Sequence, residues 1–153
     1  MTTPLIMLGL LMVPFGALYL LSRVTDRPLD RMQAAAISLG IVFVFTGIGH
    51  FIRTEPMSEM LPAWVPHQTV IIYATGFLEF ALAGALFTSK FRLRAAWACI
   101  AVLILFFPAN IYAAINHTGM GGHTWGPVYL LIRGPLQLIL ISWAYFLIIR
   151  PAR

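Results

Sequence analysis

Two ionisable side chains in apolar surroundings are the first candidates for chemistry in this sequence. Glu79 lies within the apolar run GFLEFALAGALF, and His50 lies near the end of another run, TGIGHFIRTE. A carboxyl group and an imidazole can each pass protons to or from a substrate, so these two are the candidate catalytic residues. Gly76 and Ala83 share the helix face of Glu79 and would let a neighbouring helix approach closely.

A second set of polar residues offers hydrogen bonds to a ligand. Asn110 lies in FFPANIY, and LLIRGPLQL places Arg133 and Gln137 four residues apart, on one helix face. Arginine and amide side chains can donate hydrogen bonds to a ligand's oxygen atoms. The candidate ligand-binding residues are Asn110, Arg133, Gln137, Tyr112 and Arg53.

Structural alternatives exist for several of these residues. Glu79 and Arg133 could form an ion pair that fixes how the helices pack. Pro108 has no N–H to offer the carbonyl of Ile104, and the Asn110 side chain could bond that carbonyl instead. Arg53 fits an interface anchor somewhat better than a ligand-binding residue.

The composition determines the class of protein. The chain has 153 residues, of which 60% are hydrophobic and only 10% charged, and its mean hydropathy is +0.88. Water-soluble domains contain roughly 25% charged residues, so a single-domain integral membrane protein over residues 1–153 is predicted. The net charge of +5 is spread along the chain and gives no reason to expect nucleic acid binding, and the single Cys99 excludes an intrachain disulfide.

Five apolar runs are long enough to cross a membrane, which needs about 20 helical residues. They cover residues 3–21, 34–52, 69–88, 95–115 and 128–149, and predict an all-α, five-span protein. Eight of the ten basic residues lie in 22–33, 89–94 and 150–153. By the positive-inside rule these segments are cytoplasmic, which places the N-terminus outside and the C-terminus in the cytoplasm.

The remaining connections have a different character. Residues 53–68 contain three prolines with Met57, Met60 and Trp64, and predict a short amphipathic segment at the membrane surface. Residues 116–127 are glycine-rich and predict a loop. His117, Met120 and His123 in that loop offer ligands that suit copper, but their spacing matches no rigid metal scaffold, so no metal site is assigned.

The predicted topology brings the polar residues to one level of the bundle. The second and fourth spans end on the outer side, where the third and fifth begin, so the candidate residues from all four meet in the outer half of the membrane. Glu79, about 15 Å into its span, forms the floor of this level. We therefore expect a polar pocket within a helical bundle.

Four sequence blocks carry a family resemblance. TGIGHFIRTE with LPAWVP, then GFLEFALAGALF, FPANIYAAINH and IRGPLQLILISWAY together resemble the DoxX family of small bacterial membrane proteins, over about residues 37–150. The resemblance implies a four-helix bundle in the bacterial inner membrane, to which this chain adds the N-terminal helix 3–21. It also implies that the matching residues His50, Glu79, Asn110 and Arg133 share one pocket.

Three functions are compatible with these observations. The namesake of the DoxX family is a subunit of a thiosulfate:quinone oxidoreductase, which implies a quinone-type ligand and membrane redox chemistry. The chain has no flavin, haem or iron–sulfur motif, so no intrinsic cofactor is predicted, and electrons would come from a redox partner protein or a bound substrate. The alternatives are a cofactor-independent enzyme, such as an isomerase acting on a lipophilic substrate, and a non-catalytic accessory subunit held among membrane lipids.

Overall fold

The computed structural model describes residues 2–25, 30–119 and 121–152, and within those ranges it contains helices and turns but no strand. Six α-helices follow one another: α1 Thr2–Val24, α2 Arg31–Ile52, α3 Thr54–Ser58, α4 Gln68–Phe87, α5 Arg92–Ile115 and α6 Leu130–Trp143. A 3₁₀ segment, His123–Tyr129, leads into α6, and a π-helical segment, Ala144–Ile149, and a final 3₁₀ turn, Arg150–Ala152, continue it.

Five helical segments are long and apolar enough to cross a membrane. They are α1, α2, α4, α5 and the continuous helical stretch His123–Ala152. Their number confirms the prediction, and their boundaries differ from the predicted ones by five residues or fewer. The chain is therefore compatible with a multi-pass membrane protein.

Helices α2 and α4 pack closely because glycines face each other across their contact. A Cβ atom added at Gly76 would lie 2.8 Å from the Cβ of His50, and one added at Gly47 would lie 2.8 Å from Cε1 of Phe80. Neither position has room for a larger side chain without a shift of its neighbour. The small-residue face predicted beside Glu79 is confirmed, and it lets α4 bring Glu79 close to α2.

The apolar core fills the end of the bundle opposite His50. There Leu39 of α2, Leu86 of α4, Cys99 of α5 and Ile148 of the π-helical segment are completely buried. Helix α1 lies at the periphery against α2 and α6, and its buried residues are Pro4, Met7 and Leu11. The other end of the bundle contains a cavity.

The connections are more structured than the sequence suggests. The predicted amphipathic segment contains α3, followed by turns in which Met60 and Leu61 are half-buried. The prediction of a loop over 116–127 is wrong in its second half, because 3₁₀ structure begins at His123. It bends at Gly126, whose φ of 71° suits glycine, and the His117 ring occupies the space where a Cβ would lie.

Candidate functional site

A cavity of about 790 Å³ lies at the end of the bundle where α2 and α5 end and where α4 and α6 begin. Most of its wall is apolar, and all six α-helices contribute to it. Six of the seven residues selected from the sequence line it: His50, Arg53, Glu79, Asn110, Arg133 and Gln137. Tyr112, the seventh, is half-buried and does not line this cavity.

The first polar pair on the wall joins α2 to α4. Nε2 of His50 lies 3.6 Å from Oε1 of Glu79, and both residues are buried, with exposed fractions of 8% and 5%. On the other side of the imidazole ring, Nδ1 lies 3.0 Å from the carbonyl oxygen of Ile72 and 3.0 Å from Oγ1 of Thr75. A carbonyl oxygen can only accept, so Nδ1 carries a hydrogen and donates it to Ile72.

Glu79 presents its second carboxyl oxygen, Oε2, without a hydrogen-bond partner in the described part of the chain. Most buried polar atoms in proteins have such a partner, because an unsatisfied one costs free energy. Glu79 lines the cavity, and Oε2 itself has less than 1 Å² of accessible surface.

The second polar pair joins α5 to α6. Nε of Arg133 donates to Oδ1 of Asn110 at 3.0 Å, and Nη1 of Arg133 lies 3.6 Å from the sulfur of Met7 in α1. The ion pair considered between Arg133 and Glu79 is wrong for the described residues, since the basic group within 4.0 Å of Glu79 there is His50. The guanidinium contacts α5 and α1 instead.

Two amide side chains stabilise the same wall. Asn110 Nδ2 donates to the carbonyl of Phe106 at 2.8 Å, so the suggested bond from Asn110 to the Ile104 carbonyl is wrong. Phe106 lies one turn before Asn110 on α5, within easy reach of a short amide. Gln137 of α6 donates to the carbonyl of Leu103 at 2.8 Å. These bonds fix where the Arg133–Asn110 pair lies.

The rim of the cavity has a charged part and an apolar part. Arg53 is exposed at the junction of α2 and α3, where its backbone N–H donates to the Gly49 carbonyl at 2.8 Å. Ile52 and Leu105 line the cavity and are 72% and 71% exposed. The cavity therefore reaches the outer surface of the bundle at apolar side chains as well as at Arg53.

A family model for a domain of unknown function (DUF8561) matches residues 39–148. The chain belongs to this family. No curated protein and no solved structure matches it. The matched region contains every candidate site residue and excludes α1, so in this member of the family α1 contributes Met7 to the cavity wall from outside the shared region.

Sequence reasoning missed several residues on the wall, among them Thr75, His123 and Tyr129. Thr75 lies four residues before Glu79, on the same helix face, and this spacing was the available signal. His123 and Tyr129 are buried with exposed fractions of 4% and 2%, and their rings meet edge to face with centroids 4.8 Å apart. Nothing in the glycine-rich stretch before them indicates that burial.

The loop considered for copper is divided by the fold. His117 is exposed and its Nδ1 lies 3.3 Å from the Thr124 carbonyl, whereas His123 is buried on the cavity wall. Met120 lies outside the described residues. Among the residues that the structure describes, no three His, Cys, Asp or Glu side chains come together as a metal site.

Proposed function

We propose that this protein binds a small lipophilic ligand of the quinone type in the cavity, as part of redox chemistry in a bacterial inner membrane. The observation that carries the proposal is the pairing on the cavity wall. Two polar pairs, the buried His50–Glu79 and the part-buried Arg133–Asn110, line one cavity whose remaining wall is mostly apolar. A quinone has this same division, because its ring oxygens need hydrogen bonds and its tail needs an apolar surface.

The dimensions and chemistry of the cavity agree with such a ligand. Sites for small molecules usually measure about 300–1,000 Å³, and this cavity holds about 790 Å³. Phe43, Phe106 and Met57 provide apolar contact area beside the polar pairs. The apolar rim at Ile52 and Leu105 offers a way in from the lipid. Electrons would reach the ligand from a redox partner protein or a second bound substrate.

The resemblance to the DoxX family supports the same proposal. The four blocks that carry it hold His50, Glu79, Asn110 and Arg133, and all four residues line the cavity. Membership of the DoxX family, like the bacterial inner membrane as the location, remains part of the proposal.

Copurification and thermal stability test this function. Protein extracted in a gentle detergent should carry quinone detectable by native mass spectrometry, and added quinone should raise the unfolding temperature. At a ligand concentration of 100 times Kd, the stabilisation should be about 2.7 kcal/mol. Arg133→Met should lose most of this stabilisation because it removes the donor on α6.

The matched control is Arg94→Met, because Arg94 is exposed at the other end of the bundle and does not line the cavity. It should keep the full response to quinone. Purified protein with neither copurified quinone nor a quinone-dependent rise in unfolding temperature would exclude the proposed function.

A second candidate function is acid–base catalysis without a cofactor, such as isomerisation of a lipophilic substrate. The observation that favours it is the proximity of Glu79 to His50, 3.6 Å apart beside the cavity. A carboxyl and an imidazole so close together can act as general acid and general base on one bound molecule. Substitution of Glu79 separates the two candidates, as described below.

A further inference from the structure

The inference begins with the Oε2 atom of Glu79. The residue is 5% exposed, lies on the cavity wall, and has no hydrogen-bond partner for this oxygen anywhere in the described ranges. Its other oxygen, Oε1, faces His50. Glu79 thus lines the cavity with a carboxyl group whose Oε2 is unsatisfied and has less than 1 Å² of accessible surface.

The hydrogen-bond role of Oε2 follows from the tautomer of His50. Nδ1–H of His50 donates to the Ile72 carbonyl, so a neutral ring presents a bare Nε2 to Oε1 of Glu79. Two bare acceptors 3.6 Å apart repel each other, and a proton on either Nε2 or Oε1 removes the repulsion. Oε2 is the oxygen of Glu79 that lies away from His50, and an unprotonated Oε2 can only accept a hydrogen bond.

Arg133 supplies the opposite function on the same cavity. Two of its five N–H groups are engaged in the described part of the chain, with Asn110 and Met7. The others can donate to an oxygen in the cavity. The wall thus combines an acceptor on α4 with donors on α6.

We propose that the cavity prefers the hydroxyl-bearing, reduced form of its ligand, a quinol, because Oε2 of Glu79 accepts a hydrogen bond from a quinol O–H. The second ring oxygen accepts from Arg133. This inference rests on the proposed function and makes it more specific, since a quinone carbonyl or a methyl ether brings only acceptors to Oε2 and is repelled there.

Ligand competition in detergent tests the preference in the unmodified protein. The probes are a short-tailed benzoquinol kept under anaerobic reducing conditions, the matching benzoquinone, and the matching quinol dimethyl ether. A hydrogen bond from the quinol O–H to Oε2 predicts quinol binding about tenfold tighter than ether binding. Equal affinity of quinol and ether would overturn the inference while leaving the proposed function standing, and failure of all three to bind would overturn both.

Substitutions of Glu79 test whether the preference for quinol over ether depends on this residue. Glu79→Leu removes the acceptor, so quinol and ether should then bind within about twofold of each other. Glu79→Gln should retain the preference, because its amide N–H can donate to Nε2 of His50 and leave its oxygen facing the cavity. Glu59→Leu is the matched control, since Glu59 is exposed and does not line the cavity. A tenfold preference that survives Glu79→Leu would overturn the inference, and if that variant does not fold, the wild-type competition still decides.

Discussion

At the scale of single residues, His50 is held by the backbone and by a carboxyl group at the same time. The Ile72 carbonyl orients one ring nitrogen and Glu79 faces the other. This arrangement fixes the ring plane beside the cavity, as a proton-transferring group requires. The same contacts also connect α2 to α4, so the pair has a structural role whose contribution can be measured separately.

Glu79→Gln distinguishes chemistry from structure. The amide is nearly isosteric and can still donate to His50, so the free energy of unfolding should fall by less than about 1 kcal/mol and ligand binding should persist. If the protein is an acid–base enzyme, turnover should fall by about 10²–10⁴-fold, because an amide cannot exchange the proton. Thermal unfolding, ligand titration and initial rates provide the measurements.

Glu55→Gln is a suitable control for that substitution, because Glu55 is exposed on α3 and does not line the cavity. A loss of folded protein on Glu79→Gln, with the Glu55 variant unaffected, would mean that the pair serves the bundle rather than a reaction.

At the scale of helices, the site depends on how closely α2 and α4 approach. Phe51 also lies against Gly76, and its ring stacks on Phe80 with centroids 5.7 Å apart. Gly47 makes room for Phe80 from the other helix. The distance between His50 and Glu79 is therefore set by the packing of glycines and aromatic rings around it.

Gly76→Ala should destabilise the protein by about 1–3 kcal/mol, because the added methyl would overlap His50 and Phe51. Gly84→Ala on the same helix is the control, since a Cβ there has nothing within 4 Å. That change should be neutral or slightly stabilising. Unfolding in detergent measures both, and equal effects of the two substitutions would contradict the close α2–α4 contact.

At the scale of the whole molecule, charge and cavity lie at opposite ends. Lys90, Arg92, Arg94 and Arg150 lie at the end where α4 finishes and α5 begins, and the cavity lies at the other. If the positive-inside rule holds here, the cavity belongs to the outer half of the bilayer. The proposed quinone chemistry would then take place on the external side.

Cysteine labelling in intact cells checks this orientation. Trp64→Cys, at a position 82% exposed, should react with a membrane-impermeant maleimide from outside, whereas Lys90→Cys should react only after permeabilisation. The native Cys99 is completely buried and gives little background. The reverse labelling pattern would place the N-terminus and the cavity on the cytoplasmic side of the membrane.

The sequence predicted the long helices and the polar residues of the cavity wall. Polar side chains in apolar helices are costly in lipid, so they face the interior of the bundle. It did not predict which residues pair. Arg133 bonds Asn110 rather than Glu79. Such pairing depends on how each helix is oriented about its own axis, which hydropathy does not record. Tyr112 illustrates the same limit, since two residues beyond Asn110 is a turn of about 200° around the helix, away from the cavity.

The exposed, apolar part of the rim, at Ile52 and Leu105, determines the concentration unit in which binding affinity should be expressed. A ligand that enters through this opening is drawn from a two-dimensional pool, and its relevant concentration is its mole fraction among the lipids. Each additional CH₂ in a tail adds about 0.8 kcal/mol to partitioning from water. A dissociation constant expressed as an aqueous concentration will therefore be low for long-tailed ligands, even where the protein contacts only their rings.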